Sequence, residues 1–430
     1  MTGNRDNLCI HHIEGNDMNT DILIVGAGPT GLALATTLKR AGIDCIIVDR
    51  LNTGQNTSRA AVIHAHTLEV LDALGVSERL GGEGLKLARF AIRDRSQALV
   101  KLRFDRLPSR FAHLLMLPQD RTETILAEAL AAAGGTVHRG WTVESLEQVP
   151  DGITAVVAFE GGKQTLHARY AVGADGMHSL VRESAGIGFE GTRYEESFVL
   201  ADVSMRWELG REEVSLFFSP AGLVVVAPLP ATDRYRVVAT FEDAPEHPGI
   251  ADVQALLDAR GPQSGAAQVT DVLWSSRFHL HHRVANRYRN GRFLLVGDAA
   301  HVHSPAGGQG MNTGLVDACV LGRLLAEVVS GRRDDSYLDR YEALRRPAAK
   351  QVLRLAGRLT QMATIKSIPG RIFRNLALWL IDYLPIARRR LEMNLSGLSR
   401  RAAADLEVAG PQRPRAAGVS DSKAGIGRAV

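Results

Sequence analysis

The chain has 430 residues, with 51 Lys and Arg against 47 Asp and Glu and a 45% hydrophobic share. That balance excludes a disordered chain and supplies enough apolar surface for two or three domains with sizeable cores. The formal charge of +4 does not make a nucleic-acid binder, because residues 388–430 alone hold nine Lys or Arg against four acids and the remainder is close to neutral.

Residues 1–17 are polar and lack the apolar stretch of a signal peptide, and Met18, directly before the first strand, offers a second start. Asp21–Val25 predicts a buried parallel strand, Thr30–Ala41 a helix that Gly42 ends, and Ile43–Val48 the next strand, which completes a βαβ unit. His66–Leu74 and Arg121–Ala133 predict two more helices, stopped by Gly75 and by Gly134-Gly135. Ile153–Phe159 and Gln164–Ala168 alternate around Glu160-Gly161-Gly162 as a hairpin does, and Tyr170–Gly173 reads as a separate short strand. From Glu190 to about Leu280 strand-like runs dominate, among them Val214–Phe218, Leu223–Pro228 and Tyr235–Phe241. They predict a mostly antiparallel sheet inserted into the first domain. Phe293–Val296 is again a buried strand, and a helix follows from Met311 to about Ser330. The remainder is helical and increasingly basic, and its last twenty residues have the composition of a frayed tail. No apolar run reaches bilayer-spanning length. Cys9, Cys45 and Cys319 form no CxxC, which points to a reducing cytoplasm.

Two glycine-rich segments carry the chemistry. Gly26-Ala-Gly-Pro-Thr-Gly31 follows a strand and opens a helix, as G-x-G-x-x-G does in dinucleotide-binding loops. Gly26 allows the tight turn, Gly28 admits a pyrophosphate, and Gly31 lets the helix pack, with Pro29 and Thr30 at the positive helix start. Asp49 ends the next strand, where a carboxylate can accept from ribose hydroxyls, and Arg50 follows it. This segment alone does not separate NAD from FAD. The second segment joins Gly297-Asp-Ala-Ala-His301 to Pro305-Ala-Gly-Gly-Gln-Gly-Met-Asn312. Asp298 can be held towards a polyol, and the N–H groups of Gly307, Gly308 and Gly310 can face the anionic edge of a flavin. Met311 then opens a helix whose dipole adds the same field. A loop-to-helix turn without a ligand is the plain alternative, but it does not explain three glycines beside a placed Asp.

With these segments and Val172-Gly-Ala-Asp-Gly-Met-His-Ser179 between them, the chain resembles the FAD-dependent aromatic hydroxylases of the p-hydroxybenzoate hydroxylase fold, the class A monooxygenases, over about residues 20–350. The glycine loop at 305–312 is more similar to the phenol and polyketide hydroxylase branch. The resemblance implies an α/β fold, α+β overall. A Rossmann-like FAD-binding domain would comprise 18–85, 113–188 and 285–350, and a substrate domain 86–112 and 189–284. C-terminal helices at 351–400 and a tail at 401–430 would follow. It implies non-covalent FAD, with Gly26, Gly28, Gly31 and Asp49 on the ADP half and Arg59 and Gln119 on the flavin mononucleotide half. Asp175 would lie by the pyrophosphate, with Arg182 part of the same motif. Asp298 would hold the ribityl chain, and Pro305 with the 307–312 loop would border the isoalloxazine. Pro305 and Gly308 are the flavin-adjacent catalytic candidates. The implied reaction takes hydride from NAD(P)H and O2 through a flavin C4a-hydroperoxide to hydroxylate a small phenolic or N-heteroaromatic substrate. One G-x-G-x-x-G is consistent with transient rather than resident nicotinamide binding. Two departures stand out: only 83 residues follow Pro347, too few for the thioredoxin-like domain of larger members, and Ser304 replaces a frequent proline.

Rival readings keep the fold and change the reaction. A halogenase would carry Trp-x-Trp-x-x-Pro, whereas Trp141, Trp207, Trp274 and Trp379 are isolated. A flavin-dependent reductase and a non-enzymatic dinucleotide-fold escort protein are the others. Tyr194, His279 and the pair Phe217-Phe218 are base or pocket candidates only by location, and aromatic pairs on strands are more often core. The pairs His64/His66, His279/His281 and His301/His303 lack the acidic or thiol partners of a metal site. Residues 368–390 form a basic amphipathic segment: a helix covering the cavity or a homodimer contact is the preferred reading, and a peripheral contact with anionic membrane the alternative.

Overall fold

The computed structural model describes residues 17–54, 60–241, 244–263, 265–304, 307–363, 365 and 367–406, without the side chains at 193–196 and 279–280. Arg59, Pro305 and most of the expected tail therefore lie outside the described residues, as do the side chains of Tyr194 and His279.

β1 (Met18–Val25) is apolar and buried from Ile22 onward, as a strand covered on both faces must be. It lies between β2 (Cys45–Asp49) and the strand Gly162–Gly173, with Val137–Arg139 and Phe293–Leu295 outside them, all parallel. α1 (Pro29–Arg40) makes the crossover from β1 to β2. The hairpin of Gly152–Phe159 is present, but Tyr170–Gly173 is not a separate strand. One strand, Gly162–Gly173, pairs with the hairpin arm at 162–168 and runs parallel to β1 from Leu166 to Gly173. Its exposed half alternates and its buried half does not, so a single strand reads in sequence as two.

The second sheet has eight strands. In order they are His301–Val302, Ala267–Ala285, Phe189–Trp207, Arg234–Phe241, Gly222–Pro228, Glu213–Ser219, Arg89–Asp94 and Gln97–Arg103. It is antiparallel except where Glu213–Ser219 runs parallel to Arg89–Asp94. Segments over a hundred residues apart thus share one sheet. Its inner face looks towards the ends of the parallel strands, and the site lies between them.

The long helix Gly310–Val329 packs along α1. Contact is close because Gly322 has no Cβ, which would stand 2.7 Å from the Thr37 side chain. The helix Asp339–Ala363 continues through Pro347. No helix among the described residues is long and apolar enough to cross a membrane.

A buried charge cluster joins these helices to the second glycine segment. Asp317, with no exposed surface, accepts from Arg345 Nε at 2.6 Å and lies 2.6 Å from His301 Nε2. Burial pushes the Asp317 carboxyl up, but Arg345 and His301 outweigh it and hold it below the usual range. A lowered acid pKa contributes stability above the unfolded value, and that contribution is lost as pH falls through the folded one. Removing the carboxylate leaves a guanidinium buried without its partner. Asp317→Ala is expected to lower unfolding free energy by about 3–5 kcal/mol, read from urea denaturation, and a loss under about 1 kcal/mol would contradict this account.

Candidate functional site

The first glycine loop turns under the end of Gly162–Gly173. Gly26 has φ +103, donates to Val48 O at 2.8 Å, and a Cβ there would stand 2.4 Å from Ala174 O. At Gly31 a Cβ would come within 1.9 Å of Gly26 O, so the loop and α1 close together only without side chains. Gly28 differs: among the described residues nothing lies within 4 Å of its Cβ position. No atom of the described residues demands glycine there, so the open space is room for a ligand to approach the backbone. α1 begins without a side-chain cap and without an acid in its first turn. Its leading N–H groups and positive end remain available to an anion.

Asp49 braces this loop. Its Oδ2 accepts from Ala27 N at 2.7 Å and its Oδ1 from Leu51 N at 2.9 Å, while the carboxylate still borders the cavity. Gln119 accepts from Ala60 N at 3.2 Å and donates to Glu123 at 2.8 Å, also on the wall. Asp175 accepts from Val181 N, and burial raises its carboxyl pKa. Its Oδ1 has no partner among the described residues. Arg182 is buried and donates to Met177 O and to Ala299 O at 3.1 Å, with its guanidinium 4.1 Å from the Phe189 ring centroid. It ties the middle motif to the second glycine segment.

The first and second segments meet directly. Gly297 has φ +59, and a Cβ there would stand 2.8 Å from Thr30 Oγ1. A Cβ at Gly314 would come within 2.6 Å of the same atom. Asp298 follows in a one-turn 3-10 segment, exposed at the wall. Beyond it, Gly307 and Gly308 take φ +85 and +62, and a Cβ on Gly308 would collide with Val62 at 2.0 Å. The Asn312 side chain is engaged by its own neighbours. Its Oδ1 accepts from His64 N, and its Nδ2 donates to Val62 O and Gly308 O, each at 2.8 Å. The side chain clips the loop to the strand Val62–Ile63 instead of reaching the cavity.

Sequence reasoning missed the groups that hold this loop from behind. Buried Gln309 donates to Gly307 O and to Leu395 O, and its Oε1 accepts from Arg400 at 2.9 Å. His64 Nε2 lies 2.9 Å from Gly307 O and 3.1 Å from the Gln309 amide nitrogen. The chain near 395–400 is thereby fastened to the loop near 307–309. A buried Gln within a glycine run was the available signal, but nothing local names its partners.

The cavity, about 980 Å3, runs from Gly28 and Asp49 past Asp175 and Asp298 to Gly308 and Met311. It ends on the inner face of the second sheet, where Phe90, Leu216, Val225, Val238, Phe198 and Phe278 form an apolar wall. Arg236, held by both Asp202 oxygens at 2.7 Å, and His281 are polar groups at that end. Phe217 and Phe218 are off the wall: both are core, Phe217 in the outer cluster of the sheet and Phe218 beneath Arg374. Among the described residues no cluster of His, Cys, Asp or Glu could hold a metal ion.

A polar trough edged by glycine N–H groups and one exposed carboxylate, continuous with an apolar chamber, fits an elongated dinucleotide with a ring at its far end. Comparison with known proteins agrees. Residues 19–356 match the family model described as FAD binding domain. A Streptomyces rimosus protein named 12-dehydrotetracycline 5-monooxygenase/anhydrotetracycline 6-monooxygenase is 38% identical, aligned over 78% of this chain and 68% of its own. Pentachlorophenol 4-monooxygenase of Sphingobium chlorophenolicum is 34% identical over 79% and 64%. The solved structure of OxyS anhydrotetracycline hydroxylase from Streptomyces rimosus superposes with a TM-score of 0.75 at 35% identity, covering 89% of this chain and 76% of that one.

Burial of His64 lowers its pKa to about 4, and Arg400 pushes the same way against the raising effect of Gly307 O. A depressed histidine contributes stability that is complete above the unfolded pKa near ~6.5 and is lost as pH falls towards the folded value. The slope of urea midpoint against pH in that window is expected to be shallower in His64→Gln. An unchanged slope would show that His64 is not held neutral. His303, also lowered to about 4 by burial, leaves a residual slope in the variant.

Proposed function

From its membership of the FAD-binding-domain family, to which the chain belongs, we propose that this FAD-dependent monooxygenase hydroxylates an electron-rich aromatic substrate with NAD(P)H and O2. The carrying observation is the two-ended cavity, polar and glycine-edged at one end and apolar at the other. The named substrates of the relatives, an anhydrotetracycline and a chlorinated phenol, are aromatic and support the substrate class.

In this reading the loop Gly26–Gly31 and the start of α1 receive the pyrophosphate, and Pro29, Thr30, Asp49 and Arg50 border the ADP half. Asp298 accepts from the ribityl hydroxyls, a part its exposure at the wall suits. Gln119 and Asp175 line the middle of the trough. Backbone N–H groups at Gly307–Met311, with the helix start behind them, face the ring edge and favour negative charge on it. Bound FAD supplies the two-electron reduction and the activation of oxygen. The chain's own residues bind and orient. The aromatic wall positions a planar substrate and keeps water from it, and the loop is held rigid by Asn312 and Gln309 so that the reacting atoms stay at one spacing. Arg236 and His281 are placed to meet a substrate oxygen.

Purified full-length protein should oxidise NAD(P)H faster with a suitable phenol or N-heteroaromatic, take up O2, and yield a product heavier by one oxygen atom. NAD(P)H oxidation without O2 uptake would make it a reductase. Asp298→Ala is expected to lose bound FAD, with affinity weakened at least ~10-fold on the scale of one charge-assisted hydrogen-bond set. Full yellow cofactor in that variant would remove Asp298 from the site. Val225→Trp fills the apolar end, and should abolish substrate stimulation while FAD content stays at the wild-type level.

A further inference from the structure

The helix Ile368–Tyr383 lies outside the catalytic reading. One face is anchored: Leu378 is buried, Asn375 Nδ2 donates to Asp94, Asp382 Oδ1 accepts from Lys101 N, and the Arg374 guanidinium sits 5.1 Å from the Phe218 ring centroid. These contacts fix the rotation of the helix on the strands Arg89–Asp94 and Gln97–Arg103. The opposite face carries Ile368, Ile372, Leu376, Trp379, Leu380 and Tyr383, all exposed large hydrophobics. Their spacing of three and four makes one stripe. Phe373 beside it is 74% exposed, and Ile386, on the next helix Pro385–Leu395, 73%. Most of the exposed large hydrophobics among the described residues gather here. That is a concentrated patch, not scattered surface carbon.

Charge selects what covers the patch. Residues 368–390 hold five arginines and one acid, Asp382, and with Arg374 buried on the anchored face the rim keeps Arg371, Arg388, Arg389 and Arg390. Asp382 Oδ1 accepts from the Lys101 amide, and Arg388 donates to the Asp382 carbonyl, with no ion pair to Arg388 among the described residues. Glu392 lies 3.6 Å from Arg389 and offsets one charge only. A second copy docked through a two-fold axis would set this basic rim against itself. An anionic lipid surface complements it. Trp379 and Tyr383, with ring centroids 4.5 Å apart, are the side chains that settle at the headgroup boundary. The helix is sixteen residues long, about 24 Å at 1.5 Å per residue, and cannot span. It can lie in the interface plane.

We propose that the outer face of Ile368–Ile386 docks the protein on an anionic phospholipid surface, apolar stripe in the acyl boundary and arginines among the headgroups. Phe90, on a strand beneath this helix, borders the apolar end of the cavity, so docking brings the substrate chamber next to the bilayer.

The test is sedimentation of the full-length protein with vesicles of phosphatidylcholine alone and of phosphatidylcholine with phosphatidylglycerol. Partition onto the anionic vesicles should be at least ~10-fold higher and should fall with added salt, with a blue shift of tryptophan fluorescence on binding. Ile372→Ser with Phe373→Ser should lower binding at least ~10-fold, from loss of two buried apolar side chains. The combination Arg388→Gln, Arg389→Gln and Arg390→Gln should lose the preference for anionic lipid. Unchanged FAD content in each variant shows that the fold is intact. No preference for anionic vesicles in the wild type overturns the proposal. A concentration-dependent dimer that the Ile372/Phe373 variant dissociates also overturns it, and assigns the face to a second copy.

Discussion

The structure turns on one close approach. The Thr30 side chain, at the first turn of α1, lies where Cβ atoms of Gly297 and Gly314 would be. Two segments nearly 270 residues apart can touch only because both partners of that threonine lack side chains. The contact brings the ends of the parallel strands under the inner face of the second sheet and so creates the cavity. Bulk at either glycine would force the strand Phe293–Leu295 away from β1, and the trough would lose one of its edges.

Around that contact the protein is built to keep loops still. Glycine loops pay a high conformational entropy for order, and here the order is imposed by groups behind them. Arg182 reaches from the middle motif to Ala299 O, Asn312 ties Gly308 to Val62, and Gln309 ties Gly307 to Leu395. Below them Asp317 joins His301 to Arg345 in a fully buried setting. Many of these bonds use backbone carbonyls as acceptors, which suits positions where backbone, not side chain, must face a ligand.

The same economy of side chains explains the cavity's division. One end is lined by backbone and by carboxylates already steadied by amide donors, as Asp49 is by Ala27 and Leu51. The other is lined by alternate residues of a sheet, so every second residue, such as Leu216 and Val225, falls on the chamber and its neighbours, such as Phe217, fall in the core behind. Membership of the FAD-binding-domain family follows the first end, and variation in substrate among its members is free to follow the second.

The sequence by itself determined what is local. The spacing Gly26/Gly28/Gly31 with a strand before and a helix after, the apolar run at Ile22–Val25, and the alternation of Leu223–Pro228 each depend on neighbours within a few residues, and the elements formed there with bounds shifted by three residues at most. Tertiary structure decided what distant partners supply. Tyr170–Gly173 joined the strand before it because β1 and Phe293–Leu295 pair with both its edges. Asn312 turned inward because Val62 and His64 present a carbonyl and an amide to it. Arg374 became buried and Arg400 half-buried because Phe218 and Gln309 wait for them across the fold. Periodicity records which way a residue faces, but which group it meets there is set only when segments hundreds of residues apart close on one another.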